Sequence, residues 1–88
     1  MRRALFACLL MAVSPPAFAD VQCTKEPKEK WLTESRIRQV ATGLGHKIVV
    51  FKISSGNCYE IYGRDKQDRR IEIYFSPIDG TIVKQTTL

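Results

Sequence analysis

Cys58-Tyr59-Glu60-Ile61-Tyr62-Gly63 and Arg69-Arg70-Ile71-Glu72-Ile73-Tyr74-Phe75 are two runs of period two, separated by the polar stretch Arg64 to Asp68. Such alternation sends successive side chains to opposite faces of a strand, so the pair reads as a β-hairpin with one apolar face. The faces set the register. Pairing Ile61 with Ile73 and Tyr59 with Phe75 gathers apolar side chains on one side. Glu60 then stands beside Tyr74, and Tyr62 beside Glu72, on the other. A slip of one residue would mix the two faces. The same register brings Asp65 opposite Arg69 around a three-residue loop, Lys66-Gln67-Asp68. A loop of this kind ends in a left-handed residue, usually glycine, so a positive φ is predicted at Asp68, at a small cost in stability.

Working outward, Lys47 to Ile53 is a β-rich run, closed by a Ser54-Ser55-Gly56-Asn57 turn. Beyond the hairpin, Pro77-Ile78-Asp79-Gly80 turns the chain into a short last strand, Thr81 to Lys84. Upstream the period changes to that of a helix. Thr33 is the predicted N-cap, Glu34 puts a negative charge in the first turn, and Leu32 and Ile37 hold the staple positions; Arg36 stands where a capping box would have Glu. Ile37, Val40, Ala41 and Leu44 form one apolar face, and Gly43 and Gly45 supply the stop. Trp31 is expected to close the end of the core, with ligand stacking as the alternative. The predicted fold is α+β: one N-terminal helix packed on a four-stranded antiparallel meander sheet.

The first residues read as a secretory signal. Met1-Arg2-Arg3 is basic, Ala4 to Val13 apolar, Ser14-Pro15-Pro16 a break, and Ala17-Phe18-Ala19 a small-x-small cleavage site. Ten apolar residues span roughly 15 Å as a helix, half a bilayer core, so this segment is not read as an anchor. Cys8 lies too early for a lipoprotein site and is expected to leave with the signal. The predicted organisation is a cleaved signal over 1–19, an extended lead-in over 20–30 and a domain over 31–88, exported to the periplasm or secreted. Cleavage after Ala19 removes 19 of 88 residues and leaves 69; the basic count falls from 14 to 12 against 9 acidic, a charge of about +3. Cys23 and Cys58 then allow a single intramolecular pairing. The bridge closes a loop of about 35 residues, worth roughly 3.8 kcal/mol in the chain-entropy model. There is no C-x-x-C, and His46, the sole histidine, has no spaced partner for a metal.

Catalysis finds little to work with. A serine triad needs a base and an orienter, and His46 stands at a strand start, where an exposed or capping role is expected. Glu60 and Glu72, the best carboxylate pair, lie on neighbouring strands beside tyrosines rather than across a cleft. No phosphate loop, metal set or cofactor motif is present. The candidate binding face is the polar side of the sheet: Tyr62, Tyr74, Glu60, Glu72, Lys52 and Arg70. Aromatic residues and arginine are frequent interface anchors. A solvated face with cross-strand Tyr–Glu packing is the alternative, and the edge near Ile82 is a second docking option by strand addition. Arg64, Lys66 and Arg69 form a candidate electrostatic patch, for which anionic envelope lipid or glycan would be the ligand. A charge of about +3 with interspersed acids argues against nucleic acid.

Taken together, Gly56-Asn57-Cys58-Tyr59-Glu60-Ile61-Tyr62, Arg70-Ile71-Glu72-Ile73-Tyr74-Phe75 and Pro77-Ile78-Asp79-Gly80-Thr81-Ile82-Val83 resemble the PepSY domain family, closest to its small exported single-domain members. Those share a signal peptide, a cysteine near the mature start, a tryptophan opening a helix, a C-Y-E block and an R-x-E-x-Y-F strand leading into P-x-x-G. The likeness covers residues 23 to 84. Asp68 departs from it where a turn glycine is usual, and Ser76 where an acidic residue often precedes the proline. The resemblance implies a non-enzymatic module without cofactor, of the kind found in propeptides of thermolysin-like metallopeptidases. Its implied partner is an envelope or secreted protein such as a peptidase.

Overall fold

The structure, a computed structural model, describes residues 21–88. The signal over 1–19, with the cleavage at Ala19 and the fate of Cys8, and Asp20 of the lead-in lie outside them. The described chain is α+β. One helix, α1 (Glu34–Gly43), precedes four strands, β1 (Lys47–Ile53), β2 (Tyr59–Arg64), β3 (Arg70–Phe75) and β4 (Ile82–Thr87). They form one antiparallel sheet in the order β1-β2-β3-β4, the predicted meander.

Local chemistry explains the element ends. Thr33 caps α1 by accepting a hydrogen bond from the Arg36 amide on its Oγ1 at 3.1 Å. Leu32 and Ile37 both join the core, as a staple requires. The helix lays Ile37 and Ala41, both fully buried, on Tyr59, Ile61, Ile71, Ile73 and Phe75 of the sheet. Trp31 closes this core edge-on against Tyr59, with ring centroids 5.5 Å apart, and donates from its indole N–H to the Glu26 carbonyl. Leu44 does not share the apolar face. It is the C-cap, 45% exposed, because the helix ends one residue before it.

The register of the central hairpin is as predicted at every position named above, Ile61 to Ile73 and Tyr59 to Phe75 included. The Asp65 amide donates to the Arg69 carbonyl at 3.0 Å, and Asp68 has a φ of 63°. Three expectations need correction. The lead-in is not extended throughout, since Lys28–Lys30 forms a 3-10 turn in which the Trp31 amide donates to the Lys28 carbonyl. The last strand runs to Thr87 rather than Lys84, because pairing with β3 satisfies the backbone of Gln85, Thr86 and Thr87 despite their lack of apolar alternation. β1 carries a bulge at Val49, so Ile48 and Phe51 face the core while Lys47, Val50 and Lys52 share the outer side.

Cys23 and Cys58 are joined. The bridge brings the lead-in onto the β1–β2 turn, where the Cys23 amide donates to the Gly56 carbonyl at 2.9 Å. A side chain at Gly56 would collide with the Val21 carbonyl, 1.8 Å from its ideal Cβ, so only glycine allows this approach.

Candidate functional site

The outer side of the sheet is built from three cross-strand rows. Lys52, Glu60, Tyr74 and Lys84 make the first, and Val50, Tyr62, Glu72 and Thr86 the second. Lys47, Arg64 and Arg70 make the third, at the end nearest the β2–β3 loop. The core and α1 lie on the other side, and no described element crosses this one. The six residues predicted for the face therefore do share it, but in two groups. Glu60, Glu72, Tyr62, Tyr74 and Lys52 cluster, whereas Arg70 stands apart beside Arg64.

The cluster is a tight polar network. Glu60 is only 4% exposed although it points away from the core. Lys52 Nζ lies 4.0 Å from its Oε1 and 5.6 Å from the centre of the Tyr62 ring. The Tyr74 hydroxyl donates to Glu72 Oε2 at 3.0 Å. Burial pushes the Glu60 carboxyl up, and a hydrogen bond shared with Glu72 adds to this. The same hydrogen bond leads the forces that hold Glu72 below the usual carboxylate range. The two carboxyls are thus pushed in opposite directions, Glu60 keeping its proton more readily than Glu72. Hydrogen bonding to Glu72 and then Glu60 pushes the Tyr62 hydroxyl up to about 12; Tyr74 is raised as well, first by burial. Alternation shows that these residues share a face. It does not show that four of them would close over one carboxyl.

Each residue of the predicted electrostatic patch makes its own local contacts. Arg69 is engaged by Asp65, with Nε to Oδ2 at 2.8 Å, and backbone hydrogen bonds from Arg69 hold Asp65 below its ordinary value. Arg64 donates to the Asp68 carbonyl at 3.0 Å and reaches its carboxylate only at 4.0 Å. The Lys66 stem lies over Gly45, toward the end of α1. Arg64 instead joins Arg70, Tyr62 and Val50 around a cavity of about 300 Å³ on the outer face, which sequence reading did not anticipate because the bulge at Val49 creates part of its wall.

His46 is half-buried; its amide donates to the Ala41 carbonyl, and Nδ1 is buried without a hydrogen-bond partner among the described residues. Among those residues no three His, Cys, Asp or Glu side chains group as metal ligands, and no helix is long and apolar enough to cross a membrane. Compared with known proteins, the chain matches the family model PepSY_2, described as peptidase propeptide and YPEB domain, over residues 3–86. No curated protein and no solved structure matches it.

Proposed function

The chain belongs to the PepSY family of peptidase propeptide and YPEB domains, and from that premise we propose that it is an exported, non-catalytic module that binds and regulates another envelope or secreted protein, a peptidase being the leading candidate. The observation that carries the reading is the outer face of the sheet, which no described element crosses and which presents tyrosines and arginines beside lysines and glutamates. The disulfide suits an oxidising compartment, and residues 1–19, read as a secretory signal, would direct the chain there. Binding rather than catalysis is supported by the burial of Glu60, which lies beside Glu72 on adjacent strands of one sheet face instead of across a cleft.

Binding of anionic lipid or glycan is the weaker alternative, since Arg69 is engaged by Asp65 within its own loop. The test is capture by chemical cross-linking from the native envelope, followed by mass spectrometry, at low and physiological salt. The module reading predicts an exported protein retained at both; capture that collapses as salt rises contradicts it.

A further inference from the structure

The third row of the outer face is an arrangement of like charge. Lys47 is directly opposite Arg64, and Arg64 directly opposite Arg70, on one side of three adjacent strands. Like charges in this relation destabilise a sheet. Among the described residues Lys47 and Arg70 make no ion pair, and Arg64 pairs only with Asp68, at 4.0 Å and on the exposed loop. The nearest carboxylate of the second row, Glu72, is held by the Tyr74 hydroxyl and by Glu60.

Beside this row lies the 300 Å³ cavity. Its apolar wall comes from Val49, Val50, Tyr62 and Leu88, over the backbone of Gly63 and Ile71, with Arg64 and Arg70 at the rim. Val49 and Val50 are 66% and 45% exposed and Leu88 is 56% exposed. The Leu88 amide donates to the Arg70 carbonyl at 2.8 Å, which anchors that wall to β3. Gly63 keeps the bulge in place, since its ideal Cβ would lie 2.0 Å from the Lys47 carbonyl.

We propose that this cavity and the Lys47–Arg64–Arg70 row form the docking site for an extended peptide segment of the partner that carries an aliphatic side chain and a carboxylate two residues apart. Side chains at i and i+2 of an extended chain share a face and stand roughly 6.6 Å apart, the spacing between neighbouring same-face rows of this sheet. The aliphatic group fills the cavity while the carboxylate neutralises the guanidinium of Arg70, assisted by Arg64. A volume of 300 Å³ is at the lower end for ligand sites and suits a side chain better than a cofactor. The proposal rests on the reading of the chain as a protein-binding module and names what that module recognises.

The experiment titrates isotope-labelled protein, purified after export, with the peptide Ser-Gly-Leu-Ser-Glu-Gly-Ser, followed by backbone amide NMR. The controls replace Glu by Gln or Leu by Ser. Shifts are expected at Val50, Tyr62, Gly63, Ile71 and Leu88, with both controls weaker by roughly tenfold. Arg70→Glu, on an exposed side chain without an ion pair, should weaken the first peptide by roughly tenfold, while Lys84→Glu, an equal change of net charge in the first row, leaves it unchanged. Equal loss in the two variants would reduce the effect to diffuse charge and overturn the proposal. So would shifts confined to other surfaces, or binding of phosphatidylglycerol vesicles through these arginines without binding of the peptide. The two readings fail separately. Capture of an exported partner that survives Arg70→Glu unchanged overturns the docking site and leaves the module standing; peptide binding at the site with no exported protein captured does the reverse.

Discussion

Asp68 shows how much a single backbone angle can be inferred from pairing alone. Matching the faces of two alternating strands leaves three residues for the loop, and the last of them must turn left-handed; φ is 63°. Aspartate tolerates that region better than most residues, though less well than glycine. Asp68→Gly should therefore raise stability by about 0.5 kcal/mol, a gain of about two to four degrees in thermal midpoint. The exposed Arg64–Asp68 pair that it removes contributes little. A lower midpoint would show that the aspartate side chain, not the angle, is what the loop needs. Tyr62 offers a second check at this scale. Its value in the folded chain, about 12, lies above that of an unfolded tyrosine. The stability it contributes is therefore present in full below about pH 10 and is lost as pH rises toward about 12. A spectrophotometric titration should show Tyr62 ionising together with alkaline unfolding, and Tyr62→Phe should flatten that loss.

At the scale of elements, the hairpin β2–β3 and the cap of α1 were legible because each rests on a local rule, a period of two or a threonine ahead of an amphipathic turn. The bulge at Val49 and the full length of β4 were not. Both are settled by the neighbouring strand rather than by the segment's own pattern. The Glu60–Glu72 pair belongs to this scale too, since it exists only between strands. Glu60 is raised, so the stability linked to it is greatest at acid pH and is lost as pH climbs through its folded value. Glu72 is lowered and acts in the opposite sense, losing its contribution as pH falls. Glu60→Gln keeps a donor toward Glu72 and cannot ionise. It should add about 1 kcal/mol at pH 7, about four to eight degrees in midpoint, and remove most of the decline seen as pH climbs through the folded value of Glu60. A drop at pH 7 would mean that Lys52 holds Glu60 as a carboxylate.

For the whole molecule, small size shapes both stability and use. A chain of this length buries little apolar surface, and the Cys23–Cys58 bridge, spanning 35 positions, offsets that by fastening the lead-in to the start of β2. Among the described residues one helix covers one side of the sheet and leaves the other open. Alternation made this division visible only in outline: it placed Tyr62, Tyr74, Glu60, Glu72, Lys52 and Arg70 on one face. It could not separate the closed carboxyl network from the arginine-rimmed cavity, because that separation depends on which rows the bulge aligns. The most direct test of the central claim installs a photo-cross-linking amino acid in turn at Val50, on the outer face, and at Arg36, on the exposed side of α1, and irradiates the exported protein in its native envelope. An exported partner cross-linked from Val50 and not from Arg36 is the predicted result; cross-links from Arg36 alone, or equal yields from both positions, would contradict it.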